Sequence, residues 1–176
     1  NVEGTRRVLQ GAASSPLRPW IIVASSREVY GETGQPTVTE DAPLRPINVY
    51  GRSKLLAESA VAAAQREGLR AAVIRLSNVY GSTLDHADRV IPSFLRRALS
   101  GAVLPVEGRG HTFDFVHRTD VARGVAALAE QLEAGAAVPP PIQLVTGVPT
   151  TLGGLAALAV ECAGTQARIE ERQPRS

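Results

Sequence analysis

The sequence of 176 residues predicts an α/β fold built around a parallel sheet. The continuous apolar run at 20–24 and the run at 71–76 have the length and β-branched content of strands buried on both faces. A helical pattern from Ile47 to Gly68 lies between them, so the order is strand, helix, strand. Two strands joined in this way are expected to lie parallel, with a right-handed crossover.

The rest of the first half is predicted to contain one more helix and two loops. Residues 1–13 repeat apolar side chains at helical spacing, and Asn1 stands where an N-cap is favoured. Residues 14–19 are rich in Ser and Pro, and residues 32–48 combine several prolines with no clear period, so both are predicted loops. Gly68 supplies the stop expected at the end of the long helix.

The second half is predicted to alternate short helices and strands. Thr119 or Asp120 is expected to cap one helix, and Thr151 is expected to cap the last one. The predicted helices run over 90–100, from the 119–120 cap to about 132, and from the cap at 151 to about 163. The predicted strands are 103–106, 112–117, 142–146 and 167–172, with loops at 82–89 and 134–141.

Composition argues against several functional classes. The net charge is only +2 and there is no basic run, so no nucleic-acid partner is predicted. No apolar run reaches the roughly 18 residues that span a membrane, so no membrane partner is predicted. The three His residues lack the spacing of metal ligands, and the G-x-S-x-G elbow of hydrolases does not occur.

Cysteine and methionine usage suggests the compartment and the origin of the chain. Cys162 is the single Cys and cannot form an internal disulfide, which favours a reducing, cytoplasmic location. We expect Cys162 to be a small buried residue of a helix. The chain lacks Met entirely and shows no signal peptide, so we expect a piece of a longer protein or a processed chain.

Tyr50 and Lys54 form the first candidate catalytic pair. They are four residues apart in the long predicted helix, which places both side chains on one face. Lys54 is the only Lys of the chain, whereas the other 18 of its 19 basic residues are Arg. An ammonium close to a phenol stabilises the phenolate, so Tyr50 would serve as a general acid/base for a carbonyl/alcohol pair. The alternative is an exposed helix that carries an unrelated Tyr and Lys.

Polar residues follow both predicted buried strands. Ser25 and Ser26 come directly after the first strand, and Ser77 and Asn78 come directly after the second. The carboxyl ends of parallel strands are where open α/β sheets hold their ligands. These four residues are therefore candidate binding residues, and strand-end turns are the alternative reading.

Five motifs in order resemble the extended short-chain dehydrogenase/reductase family, in particular the NAD-dependent epimerase/dehydratase group that acts on nucleotide sugars. They are NVEGT at 1–5, SSREVYG at 25–31, TEDAPLRPINVYGRSKLLAE at 39–58, RLSNVYG at 75–81 and FDFVHRTDVARGV at 113–125. The resemblance implies a Rossmann-type parallel sheet, here incomplete, with a small interleaved substrate domain. The implied NAD-binding domain is 1–81 with about 116–146, and the substrate domain is 82–115 with about 147–176.

The resemblance also implies roles for individual residues. Tyr50 corresponds to the catalytic base, Lys54 to its partner on the nicotinamide ribose, and Ser26 to the hydroxyl that binds the reacting oxygen. The implied cofactor contacts are Tyr50, Lys54, Ser25, Ser77 and Asn1. The implied substrate contacts are Ser26, Asn78, Arg89, Val90 and Arg175.

Several departures from the family pattern affect the expected reaction. Dehydratases of this family carry an Asp-Glu pair where this chain has Arg27 and Glu28. The missing Asp argues against ordinary 4,6-dehydration, and Glu28 stays a candidate catalytic residue, with a loop Glu as the alternative. Many family epimerases have an Arg at the position of Phe113, and Arg89, Arg109 or Arg175 would have to replace it. The glycine-rich dinucleotide fingerprint is absent from the sequence, so we expect the first third of the enzyme to be missing.

The predicted activity is NAD-dependent epimerisation of a nucleotide sugar, at C4, through a keto intermediate. A decarboxylase, dehydratase or reductase of the same family is the alternative enzyme. A non-catalytic family member that binds a ligand or partner is the alternative from another class. The resemblance further implies a cytoplasmic homodimer.

Overall fold

A computed structural model describes residues 2–35 and 37–173. Its helices are α1 (Val2–Ser14), α2 (Val49–Arg66), α3 (Val90–Leu99), α4 (Arg118–Glu133) and α5 (Leu152–Ala163). Its strands are β1 (Ile21–Ser26), β2 (Ala71–Leu76), β3 (Asn78–Tyr80), β4 (Leu104–Glu107), β5 (Thr112–His117), β6 (Ile142–Leu144), β7 (Pro149–Thr151) and β8 (Ile169–Arg172). A short 3-10 helix, Arg27–Val29, follows β1. The chain divides into two compact units.

The first unit contains the chain up to Ser77 together with Thr119–Leu144. Its sheet has the order β1-β2-β6, and both pairings are parallel. One apolar cluster packs α1 and α2 against one face of this sheet, and a second packs α4 against the opposite face. The predicted α/β class with a parallel sheet is therefore confirmed.

The second unit contains Asn78–Arg118 together with the chain from Val145 onward. In its described part, β3 pairs with β5 in parallel, and β5 pairs with β7 in antiparallel fashion. A second, two-stranded parallel sheet joins β4 to β8. The core of the unit lies between α3 and α5, where Phe94, Ala98, Leu104 and Ala156 are buried.

The two strands of the predicted βαβ unit differ in burial. Strand β2 is buried along almost its whole length, as expected. Strand β1 is only half-buried from Ile21 to Val23 and exposed at Ala24, so the expectation of burial on both faces is wrong there. Within the described residues, β1 lies at one edge of the sheet and pairs with β2 alone.

Four local expectations need correction. Strand β1 extends through Ser25 and Ser26, which we had placed after it. Helix α4 begins at Arg118, directly after β5, so Thr119 and Asp120 lie inside its first turn. The strands β3 and β7 were not predicted, because three residues are too short to show a period. Cys162 is exposed on α5, not buried.

Candidate active site

Tyr50 and Lys54 lie together on α2, at the carboxyl end of β1. The ammonium nitrogen of Lys54 is 5.6 Å from the centre of the Tyr50 ring. The same nitrogen donates a 2.9 Å hydrogen bond to the carbonyl oxygen of Ala24 in β1. Tyr50 is 49% exposed, so its side chain is accessible to a ligand. The predicted pair therefore exists as a close, accessible ammonium and phenol.

The start of α2 is fixed by a side-chain cap. Asn48 is the N-cap, and its amide oxygen accepts a 2.7 Å hydrogen bond from the backbone N–H of Gly51. An N-cap satisfies a backbone donor that has no partner within the helix. Because Tyr50 is the second residue of α2, this cap also fixes the backbone from which the Tyr50 side chain projects.

Ser26 is buried at the end of β1, and its hydroxyl caps the short helix that follows. Its Oγ accepts a 3.2 Å hydrogen bond from the backbone N–H of Glu28. A hydroxyl offers one donor and two acceptor positions, so this contact leaves its O–H able to donate. Ser26 thus combines the strand-end turn of the alternative reading with the capacity to bind a substrate oxygen.

Glu28 is held by two side chains. One carboxylate oxygen lies 3.3 Å from a guanidinium nitrogen of Arg27. The other accepts a 2.8 Å hydrogen bond from the side-chain amide of Asn48. Glu28 therefore connects the 3-10 helix to the N-cap of α2.

Ser25 points away from the surface and into a buried polar cluster. Its hydroxyl donates a 2.5 Å hydrogen bond to Glu58 of α2. Glu58 in turn forms a 2.8 Å ion pair with Arg75 of β2. With its hydroxyl engaged in this way, a cofactor contact from Ser25 would come from its backbone.

Burial and hydrogen bonding together shift the pKa values of Arg75 and Tyr30 in this buried polar cluster. Burial alone lowers the pKa of Arg75, but hydrogen bonds to Glu58 and Tyr30 outweigh it, so the pKa lies above its ordinary value. Burial is also the largest influence on Tyr30 and raises the pKa of its phenol, although the hydrogen bond from Arg75 opposes this. Arg75 therefore stays charged and Tyr30 stays neutral near neutral pH.

Three predicted substrate residues meet in the second unit. Asn78, Arg89 and Val90 line one cavity of about 180 Å³ together with Tyr80, Asp85 and Phe115, among others. The side-chain amide of Asn78 donates a 3.1 Å hydrogen bond to the backbone oxygen of Asp114. The cavity has a cationic side chain, an amide and aromatic rings, a combination that suits a polar ligand with a ring.

Three predicted site residues remain, Ser77, Asn1 and Arg175. Ser77 is the single residue between β2 and β3. Asn1 and Arg175 lie outside the described residues. Phe113 packs its ring 6.0 Å from that of Phe115 in β5. The described residues contain no cluster of His, Cys, Asp and Glu that could hold a metal ion.

Three residues with prominent contacts were not predicted. Glu58 and Arg75 form the buried pair, and Asp114 accepts hydrogen bonds from the backbone of Thr146 and Gly147. Arg75 could have been found, because an Arg inside the apolar run AAVIRL needs a buried partner. Nothing in the sequence pairs Asp114 with a loop more than 30 residues away.

The parallel sheet, with helices on both faces and polar side chains at its strand ends, defines a Rossmann-type α/β protein. Residues 1–140 match the NAD dependent epimerase/dehydratase family. The chain therefore belongs to this family, as its motifs indicated. None of the helices in residues 2–35 and 37–173 has both the length and the apolar composition to cross a membrane.

Characterised relatives include both dehydratases and epimerases. The dTDP-glucose 4,6-dehydratase of Streptomyces griseus is 34% identical over 137 residues, covering 77% of this chain and 41% of that protein. The structure of DesIV, the dTDP-glucose 4,6-dehydratase of Streptomyces venezuelae with NAD and TYD bound, superimposes with a TM-score of 0.82 and 29% identity. The UDP-glucose 4-epimerase of Thermotoga maritima with UDP-glucose gives a TM-score of 0.83 and 28% identity.

This chain corresponds to about half of those structures. It is covered to 99% by DesIV and to 98% by the Thermotoga maritima epimerase, and it spans 53% and 56% of those chains. The Rossmann-type fold and membership in an NAD-dependent enzyme family are confirmed.

The residues at the end of β1 fit one part of NAD. The Lys54 ammonium has three N–H donors, of which Ala24 receives one, so two remain for the hydroxyls of the nicotinamide ribose. The exposed Tyr50 lies beside it. No glycine-rich turn for the pyrophosphate occurs in the sequence. The residues present therefore suit the nicotinamide ribose end of the cofactor.

Proposed function

We propose that this chain carries the acid/base centre of an NAD-dependent nucleotide-sugar epimerase, acting at C4. The observation that carries the choice of reaction is the position of Glu28. Its carboxylate is held by Arg27 and Asn48, and Arg27 stands where a dehydratase has an Asp. With both carboxylate oxygens engaged, Glu28 is suited to holding the site in shape. It is less suited to acting as an acid or base in the elimination of water.

Proton transfer is assigned to Tyr50. Tyr50, with the ammonium of Lys54 5.6 Å from its ring centre, removes the proton from the substrate hydroxyl. The Ser26 hydroxyl donates a hydrogen bond to the same substrate oxygen, and Lys54 and Tyr50 would hold the nicotinamide ribose. NAD held there would supply the hydride acceptor and donor for the sugar carbon.

Epimerisation needs no acid/base group beyond this centre. The sugar is oxidised to a ketone, turns its other face, and is reduced with return of the proton from Tyr50. Dehydration needs a second acid/base pair to remove a proton and expel a hydroxyl, and Arg27 supplies neither function. Tyr50, Ser26 and Lys54 are therefore sufficient for epimerisation once NAD is in place.

The second unit is proposed as the substrate domain and the first as part of the NAD-binding domain. The cavity lined by Asn78, Arg89 and Val90 supports a contact with the phosphate or sugar of a nucleotide sugar. Arg89 offers the positive charge that Phe113 cannot provide. DesIV bound to TYD and the Thermotoga maritima epimerase bound to UDP-glucose are consistent with this substrate class.

A dehydratase or decarboxylase is the second candidate. Glu28 supports it, because a carboxylate is retained beside Ser26, and the 4,6-dehydratases among the relatives support it as well. A reductase of the same family would use the same Tyr50 and Lys54, so its product distinguishes it, whereas a non-catalytic binding protein would not need this pair. A homodimer is proposed from the family resemblance. The single Cys162 supports a cytoplasmic location.

The test is product analysis by NMR with a panel of nucleotide sugars and added NAD, on the intact enzyme that contains this chain. We expect C4 epimers from the wild type and no turnover from Tyr50→Phe, with cofactor binding unchanged between the two. Near-normal turnover in Tyr50→Phe would contradict the assigned base. A 4-keto-6-deoxy sugar or carbon dioxide as product would contradict epimerisation.

A further inference from the structure

The buried polar residues of the described chain gather at one place. They are Ser25, Ser26, Glu58 and Arg75, on β1, α2 and β2. The side chains of Arg75 and Glu58 are only 4% and 7% exposed. Taking an ion pair out of water costs free energy, so its retention inside an apolar core calls for a reason other than stability.

The buried cluster is held together by hydrogen bonds from Arg75, which have defined directions. Arg75 donates two hydrogen bonds to the Glu58 carboxylate, of 3.1 Å and 2.8 Å, in the two-point arrangement of a guanidinium and a carboxylate. A third nitrogen of Arg75 donates to the hydroxyl of Tyr30 at 2.8 Å and to the backbone oxygen of Glu40 at 2.9 Å. The Ser25 hydroxyl completes the cluster at Glu58.

Glu58 lies in line with the proposed catalytic pair. Tyr50, Lys54 and Glu58 follow one another at intervals of four residues, so they share one face of α2. Two successive turns of this face bind neighbouring residues of β1: Lys54 binds the Ala24 oxygen, and Glu58 binds the Ser25 hydroxyl. Ser26 is the next residue of β1.

We propose that Glu58 and Arg75 are positioning residues for the proposed reaction, because they fix the register of α2 against the end of β1. Neither residue needs to touch substrate or cofactor. An apolar contact would tolerate a slide or a rotation of the helix, whereas a two-point ion pair binds in one orientation. The register then sets where Lys54 and Tyr50 lie relative to Ser26. This inference rests on the proposed function.

The decisive experiment separates positioning from stability. In the variant S25A/Y30F/E58M/R75M, apolar groups replace the whole polar cluster, so no side-chain donor is left unpaired. We expect its midpoint of urea denaturation to match or exceed that of the wild type. We expect its turnover to fall about 10–100-fold, mostly in kcat, because a small misplacement of reacting groups is costly.

A second readout does not depend on activity. Lys54 is the only Lys, so protein grown with 13Cε-labelled lysine gives one Lys signal, which senses the Tyr50 ring 5.6 Å away. We expect this signal to move in the four-residue variant and in Glu58→Gln. The control is Asp120→Asn, which removes the exposed ion pair with Arg123 and should move neither the signal nor turnover.

Each outcome decides the inference. Wild-type turnover together with an unmoved Lys54 signal in the four-residue variant would overturn it. If that variant does not fold, Glu58→Gln decides: a folded protein with an unmoved signal overturns the inference, and a moved signal supports it. If the intact enzyme that contains this chain transfers no hydride to any sugar with NAD bound, the proposed function fails, and the Lys54 signal of residues 1–176 still decides whether the pair sets the register.

Discussion

The carboxylate of Glu28 accepts a 2.8 Å hydrogen bond from the side-chain amide of Asn48, the residue that caps α2. The other end of the same amide group accepts from the backbone of Gly51. Asn48 thus joins the end of β1, through Glu28, to the helix that carries Tyr50 and Lys54. A second connection, which is buried, joins Ser25 to Glu58, ten residues beyond Asn48.

Gly51 allows this close approach, and we predict that Gly51→Ala is destabilising. A Cβ at position 51 would lie 2.5 Å from the backbone oxygen of Glu28 and 3.0 Å from the Cβ of Pro46. The expected loss is about 1–3 kcal/mol of unfolding free energy, as for other overpacked sites. The matched control is Gly11→Ala on α1, where nothing lies within 4 Å and a gain of about 0.5–1 kcal/mol is expected. Urea denaturation measures both, and a stabilised Gly51→Ala would contradict the contact.

The regular elements of the first unit could be predicted from sequence because their patterns are long. Helix α2 begins at Val49 and ends at Arg66, within the predicted 47–68, and β2 covers the predicted 71–76. The Thr151 cap was also predicted, since Thr before an apolar run is a local signal. The exposure of Ala24 was not predictable, because it depends on the position of β1 at the edge of the sheet.

Alkaline pH should weaken the protein through Tyr30. Burial raises the pKa of Tyr30 above its ordinary value of 10.0, so the folded protein holds this proton more tightly than the unfolded chain does. The stabilisation is therefore complete below pH 10.0 and is lost as the pH rises above it. We expect the stability difference between the wild type and Tyr30→Phe to stay constant below pH 10.0 and to shrink as the pH rises above this value. A difference that is constant with pH, measured by urea denaturation, would contradict the raised pKa.

The site was predictable where its chemistry is local and not where it depends on distant partners. Tyr50 and Lys54 share one helix face, so their spacing alone placed them together. Glu28 and Asn48 are 20 residues apart, across a proline-containing loop, and no pattern pairs them. Glu28 and Arg27 are adjacent in the sequence, so their 3.3 Å contact depends on no long-range information.

NAD should bind weakly to residues 1–176 alone. A pyrophosphate is normally held by a glycine-rich turn and the N-terminus of the helix behind it, and the sequence contains no such turn. Lys54 and Tyr50 account only for the ribose end. We expect titration calorimetry to give no saturation at cofactor concentrations of about 1 mM. Binding in the micromolar range would show that other residues of this chain hold the pyrophosphate.

The variant Glu28→Gln separates epimerisation from elimination. Gln keeps the size of Glu28 and can still accept the hydrogen bond from Asn48, but it loses the ion pair with Arg27. If Glu28 only holds the N-cap in place, turnover should fall about tenfold or less, whereas loss of a general acid/base costs about 10²–10⁴-fold. The matched control is Asn48→Ala, which leaves the carboxylate intact and should lower stability by about 1 kcal/mol through loss of the cap. Turnover measured by NMR on the wild type and both variants decides the role: a loss beyond about 10²-fold in Glu28→Gln alone, with stability unchanged, would make Glu28 a catalytic acid/base.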